Sequence, residues 1–326
     1  MSQGRGAKEQ RGKGATSPLL PRSPAPSLPC SLAPALPYLA LLGGMTCMAV
    51  AAIVVKWANA PGLVSGFYRM AIAVGIFALP FAREATRHAP SFGFAQDRLT
   101  ARPVVLAAIA GAFFACDVAL FYTSLLITSV ANATLFANTS PVWVGLGSMI
   151  LFKERLHSMF WGGVFLALSG MLVILSQDFM THPTVGVGDL YSLSAGLFYG
   201  TFFLIIQRAR QRLSPLLSWW ISAAGSAVTL FGLSFIFNQS LIGYPPETYL
   251  NLAAVALLAQ VGGWLAINYA LGHLRASLVA PTLLGQPVLA ALLAVPLLGQ
   301  SIGIAQMIGG VLVIGGIFIV HRAKTN

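Results

Sequence analysis

The chain has 326 residues, of which 57% are hydrophobic and only 8% charged, and its mean hydropathy is +0.79. A soluble domain carries about a quarter charged residues, so a soluble enzyme, a disulfide scaffold and a disordered protein are excluded, and a polytopic membrane protein remains. The net charge of +11 would suggest nucleic acid in a soluble chain; here it reads as topology, because Lys and Arg collect in cytoplasmic loops, and no nucleic-acid partner is expected.

Residues 1–34 are rich in Gly, Pro, Ser and basic residues and contain no apolar run. Such a segment cannot bury enough surface to fold, so it reads as a disordered tail, and it lacks the pattern of a signal peptide. A transmembrane helix needs about 20 apolar residues. Helix 1 covers 35–55 and ends at Lys56 and Trp57. Helix 2 runs over 63–81 and carries one charge, Arg69. Residues 103–152 contain one charge, Asp117, and are long enough for helices 3 and 4, with a turn near Leu125–Ser129. Lys153-Glu154-Arg155 closes helix 4, and helix 5 covers 157–176. A polar connector with Asp178, His182 and Pro183 follows.

Helix 6 covers 189–207 and ends at Arg208, Arg210 and Arg212. Helix 7 covers 215–237 and helix 8 covers 249–272, with Pro245 and Pro246 between them. Residues 276–321 contain no Asp, Glu, Lys or Arg and hold helices 9 and 10, at 277–297 and 302–320, joined by a turn at Gly299-Gln300-Ser301. The expected fold class is therefore an all-α polytopic membrane protein with ten transmembrane helices. With the N-terminus cytoplasmic, 17 of the 19 Lys and Arg residues fall on the inner side. The exceptions are Lys56 outside and Arg69 within the membrane. Both termini are therefore expected in the cytoplasm.

The two halves resemble each other. Residues 131–156 align with 277–302, so that Pro141 meets Pro287 and Glu154 meets Gln300. At the same offset Gly163 meets Gly309 and Gly170 meets Gly316. Five helices is an odd number, so the second copy enters the membrane from the opposite side. The expected organisation is a tail over 1–34 and two inverted five-helix repeats over 35–177 and 186–321, an arrangement that secondary transporters use around a midplane site.

An ordered set of motifs carries a family resemblance: Phe67-Tyr68-Arg69 in helix 2, Tyr122 at the end of helix 3, Ser140-Pro141 in helix 4, Glu154-Arg155-Leu156, then Gly163 and Gly170 in helix 5. Together they resemble the drug/metabolite transporter superfamily in its EamA type, over about 37–321. The second copy departs from the pattern at Gln300, where the family usually has Glu. The resemblance implies export of small metabolites such as amino acids across a plasma or bacterial inner membrane.

Charges inside hydrocarbon are costly and face a cavity or a partner. Arg69 and Asp117 lie at similar depth, about 10 Å below the outer surface at 1.5 Å per residue. They can form an ion pair that fixes packing, serve a zwitterionic solute or a proton-coupled gate, or never meet, with Arg69 snorkelling outward. Asn132 and Asn138 lie on helix 4 and Tyr199 on helix 6. Gln260, Trp264 and Asn268 recur every four residues on helix 8 and share one face; the stripe either joins helices through interhelical hydrogen bonds or lines a substrate path, since two amides and an aromatic platform suit a small, partly apolar solute. The glycine doublets 162–163, 309–310 and 315–316 read as close-packing points, and Pro141 and Pro287 as kinks. No phosphate-binding, metal-binding or prenyl-diphosphate motif is present, and the five histidines are dispersed. No metal, cofactor or catalytic residue is expected. The expected partners are a small-molecule substrate, the lipid bilayer and a coupling proton, with the chain acting as a monomer or homodimer. The competing reading is an intramembrane enzyme or a structural or regulatory membrane protein.

Overall fold

The computed structural model describes residues 35–54, 60–88, 97–176, 186–299 and 302–323. The tail, Lys56, most of the connector after helix 5, and Gln300 lie outside the described residues. Residues 37–326 form one compact unit. Every regular element among the described residues is helical: α1 (Leu36–Val54), α2 (Gly62–Ile76), α3 (Ala78–His88), α4 (Asp97–Ser124), α5 (Val130–Ala137), α6 (Ser140–Leu151) and α7 (Ser158–Ile174) in the first half. The second half holds α8 (Val187–Arg210), α9 (Pro215–Ile236), α10 (Pro246–Val255), a π-helical segment (Ala256–Trp264), α11 (Leu265–Leu271), α12 (Ala276–Leu283), α13 (Gln286–Leu298) and α14 (Ile304–Arg322).

Six helical stretches are long and apolar enough to cross a membrane, and a seventh is the pair α2–α3, bent by 52°. Their outer faces carry large apolar side chains such as Val228, Phe235 and Val311, while elsewhere in the molecule Asn132, Ser148, Ser192, Gln260 and Asn268 are buried. Water would penalise so large an apolar exterior; hydrocarbon does not, and it drives the polar groups inward. The chain is an integral membrane protein.

The structure departs from the sequence-based expectation in four places. Helix 2 does not run straight to Phe81 but bends after Ile76. Pro80 explains the bend, because its ring clashes with the carbonyl four residues back, that of Ile76. Pro141 and Pro287 do more than kink their spans. Each stands in the first turn of a new helix, α6 and α13, so spans 4 and 9 are each broken in two. The breaks fall at 138–139 and 284–285, the same place in the two aligned copies. The span over 246–271 is not a uniform α-helix, because its centre is π-helical. Finally, only one glycine of each doublet stands where a Cβ would collide with the neighbouring helix. A Cβ on Gly163 would lie 2.7 Å from Gly316 O, and one on Gly170 2.6 Å from Gly309 O, whereas Gly162 faces open space. As the number rises along α7 it falls along α14, so these two helices pack antiparallel.

The central core is built where α4, α8, α9 and the π segment meet, around Phe114, Phe202, Phe203, Trp219 and Trp264. It sets the walls of the candidate site.

Candidate functional site

A cavity lies inside this core. Its lining comes from four directions: Phe114 on α4, Phe202 on α8, Trp219 and Ser222 on α9, and Gln260, Trp264 and Asn268 along the π segment and α11. The free space is about 20 Å³, little more than the roughly 10–15 Å³ one water needs. The site is closed in this structure.

Its polar groups are incompletely used. Asn268 is 4% exposed; its Nδ2 donates to Pro215 O at 2.7 Å and to Ser218 Oγ at 2.8 Å. Asn268 Oδ1, however, has no partner. Gln260 Oε1 and Trp264 Nε1 are likewise buried without partners. An unpaired buried polar atom costs about 1–3 kcal/mol, and three of them on one cavity make it the candidate site. The π turn helps deliver them. A π segment is rare and concentrates at functional sites, and here it carries both Gln260 and Trp264. The backbone carbonyl of Gln260 accepts from Trp219 Nε1 at 3.0 Å, which ties the π segment to α9. Close approach also requires Gly263, because a Cβ there would lie 2.7 Å from Met48 Cγ.

The aromatic rings form the rest of the wall. Trp264 stands edge-on to Phe114 at 5.0 Å and to Phe202 at 5.3 Å, a favoured geometry for ring pairs. Tyr199 joins the same cluster, 4.8 Å from Phe203 and 5.9 Å from Trp264.

Arg69, Asp117 and Tyr199 make a second layer, about one helical turn beyond Phe114 and Phe202. The Arg69 guanidinium carbon lies 5.8 Å from the Phe114 ring centroid, within range of a cation–π contact, and Arg69 Nε is buried without a hydrogen-bond partner. Arg69 and Asp117 make no direct ion pair among the described residues, and Tyr199 lies 6.2 Å from the same Phe114 ring. The three sequence-selected residues therefore share one neighbourhood beside the cavity without lining it.

Two selected residues lie elsewhere. Asn138 caps the end of α5, and its Nδ2 donates to Thr134 O at 2.8 Å, so its side chain is engaged at the helix break. Asn132 is buried near the start of α5 with Oδ1 unpaired, but it does not line the cavity. The sequence reading missed Phe114, Phe202, Trp219 and Ser222. Aromatic residues in an apolar run carry no signal of their own. The four-residue spacing of Ser218, Ser222 and Ser226 was the available clue, since it marks a polar stripe on α9.

The site is latched at both ends of α8. At its start, Asp189 is buried and accepts from Thr128 Oγ1 at 2.8 Å and from Gly186 N at 2.7 Å, while Ser192 donates to Ser124 Oγ at 2.6 Å. Near its end, Gln207 Oε1 accepts from Ala276 N at 2.9 Å, and Arg210 Nε donates to Asn268 O at 3.0 Å. Close by, Ser277 donates to Glu154 Oε2 at 2.8 Å. Among the described residues, no group of three or more His, Cys, Asp or Glu side chains could hold a metal.

Fold and site together define an α-helical integral membrane protein with a closed polar pocket at its centre. A sequence profile of the EamA-like transporter family matches residues 35–176 and again 186–322; the chain belongs to that family, as its motifs suggested for the drug/metabolite transporter superfamily. It is 24% identical over 205 residues to an "Uncharacterized transporter" of Archaeoglobus fulgidus, an alignment covering 61% of this chain and 69% of the relative. It is 27% identical to a "Probable amino-acid metabolite efflux pump" of Escherichia coli, covering 52% of this chain and 59% of the relative. A protein of the same printed name in Salmonella typhimurium is 29% identical, covering 54% and 62%. One solved crystal structure shares the fold at a TM-score of 0.69 and 19% identity, over 87% of this chain and 96% of that one.

Proposed function

We propose that the protein is a ten-helix secondary transporter that exports small amino-acid-like metabolites from the cytoplasm by alternating access between two inverted repeats. The observation that carries this reading is the central cavity, where Gln260 Oε1, Trp264 Nε1 and Asn268 Oδ1 are buried and unpaired. Two amide oxygens suit an ammonium group, the rings suit an apolar side chain, and Arg69 one turn away suits a carboxylate. That set matches a zwitterionic amino acid. The printed names of the Escherichia coli and Salmonella typhimurium relatives favour the same substrate class and direction.

Ten spans follow when the two shorter apolar helices, Leu36–Ala51 and Ser158–Ile174, and the broken pair α5–α6 are counted with the long ones. Inversion of the repeats is supported by the matched helix breaks and by the antiparallel pairing of α7 with α14. The crossed contacts of Gly163 with Gly316 and Gly170 with Gly309 are what a two-fold axis exchanging the halves would produce. Alternating access is supported by the latches at both ends of α8. One involves the turn after α4, the other the equivalent turn after α11, and opening either one alone would expose the cavity to one side. In the inner-membrane topology read from the basic residues, the Asp189 latch faces outward and the Glu154 latch faces the cytoplasm.

The test is counterflow in proteoliposomes loaded with a panel of unlabelled amino acids. Uptake of a labelled amino acid against its gradient, abolished by Gln260→Leu, is expected. A wild-type protein that exchanges no amino acid while remaining folded overturns the substrate class. A transporter driven by protons would also lose the pH dependence of its flux in Asp117→Asn.

A further inference from the structure

At the basic end of the molecule a second recess opens between the start of the α4 span and the end of α8. Its volume is about 340 Å³, and it is lined by Arg102, Pro103, Leu106, Arg208, Gln211 and Arg212. No Asp or Glu is among the described residues of the lining. Arg102, Arg208 and Arg212 are exposed, and none of their guanidinium groups makes an ion pair or hydrogen bond among the described residues. Arg210, in the same stretch, behaves differently: it donates to the carbonyls of Asn268 and Leu213 and so belongs to the framework. Three guanidinium groups thus line one recess without a counter-charge among the described residues, and like charges sharing a recess repel.

The guanidinium fork matches a phosphate oxygen pair in geometry as well as charge. Below the arginines, Pro103 and Leu106 supply an apolar wall about one helical turn deep, on the stretch of α4 that enters the membrane. A basic rim over an apolar wall at a membrane boundary is how pockets between transmembrane helices hold anionic headgroups. We propose that this recess is a binding site for a phosphate group, carried by an anionic phospholipid or by a soluble phosphate, distinct from the central cavity.

The full chain, purified in a neutral detergent, is titrated in three arms: phosphatidylglycerol, phosphatidylcholine and inorganic phosphate. Binding is read by native mass spectrometry and by the shift in thermal midpoint. Saturable binding of phosphatidylglycerol without phosphatidylcholine or phosphate identifies a lipid site; binding of inorganic phosphate identifies a soluble ligand. In either case the triple variant Arg102→Gln/Arg208→Gln/Arg212→Gln is expected to lose at least about tenfold in affinity, while Arg155→Gln, an exposed basic residue outside the recess, leaves it unchanged. Arg102→Gln alone serves as the variant if the triple change does not fold. The proposal is overturned if neither phosphatidylglycerol nor phosphate binds, if the recess variants bind as wild type, or if Arg155→Gln lowers affinity equally, since the last result would make the effect one of net charge.

Discussion

Gln260 is 5% exposed, and its Oε1 has no partner. A group kept only for folding would be hydrogen-bonded, because leaving it bare costs about 1–3 kcal/mol. Replacing it by Leu keeps most of the volume and removes the unpaired amide. Gln260→Leu is therefore expected to equal or exceed the wild type in thermal stability in detergent while transport falls by at least about tenfold, the loss of one hydrogen bond to a charged group. A variant that transports normally at normal expression would reduce Gln260 to a packing residue. Trp264 is less separable, since its ring also packs on Phe114 and Phe202, and Trp264→Phe, which keeps an aromatic ring while removing the N–H donor with the fused five-membered ring, is the informative change.

Arg69 and Asp117 form the other residue-scale question. They lie near each other without a direct ion pair among the described residues, and each alone would face a medium of low polarity. Removing one member of a fully buried, bonded pair costs about 3–5 kcal/mol, and less is expected where the two charges are half-buried and not in direct contact. Arg69→Met and Asp117→Leu are each expected to lower stability, and the double variant to recover part of the loss. Strictly additive losses in a thermal or denaturant measurement would show that the two residues do not depend on each other. Recovery of stability without recovery of transport would assign the pair to the mechanism as well.

Among the elements, α7 and α14 depend on glycine in a position-specific way. A side chain on Gly170 would meet the backbone at Gly309, while one on Gly162 meets nothing within 4 Å. Backbone cannot yield as a flexible side chain can, so overpacking costs about 1–3 kcal/mol or more. Gly170→Val is expected to destabilise by at least that amount, and Gly162→Ala to be neutral; similar thermal midpoints for the two would argue that the helices separate easily. The breaks at Pro141 and Pro287 belong to the same scale. Two short helices in place of one leave unsatisfied backbone groups at mid-span, which membrane proteins tolerate only when buried in protein or facing a cavity. Thr139 Oγ1, at the first break, donates to Phe136 O at 2.6 Å and so meets part of that need.

For the molecule as a whole, the proposed topology makes a direct prediction. Arg155, after α6, and Gly303, before α14, lie at nearly equivalent places in the two aligned copies. If the repeats are inverted, Arg155→Cys is labelled by a membrane-impermeant maleimide from the cytoplasmic side only, and Gly303→Cys from the outside only. Labelling of both from one side would sink the inverted arrangement and with it the assignment of the two latches to opposite faces.

Much of this architecture was legible in the sequence. Scarcity of charge required a membrane solvent, the long uncharged runs located most spans to within a few residues, and the motif order pointed to the family, because hydrophobic length and composition are local properties. The stripe of Gln260, Trp264 and Asn268 was also readable, since helical periodicity alone puts the three on one side. The tertiary structure decided what periodicity does not encode. It decided that helix 2 bends at Ile76, that span 8 winds into a π segment at its centre, and that Phe114, Phe202 and Trp219 close the cavity from other helices. It also decided that Asn138 is bound at a helix break while Asn268 keeps a free oxygen. Each of these depends on which groups from distant parts of the chain meet. A buried amide becomes a binding group or a structural one only when its partners are counted, and those partners lie on other helices.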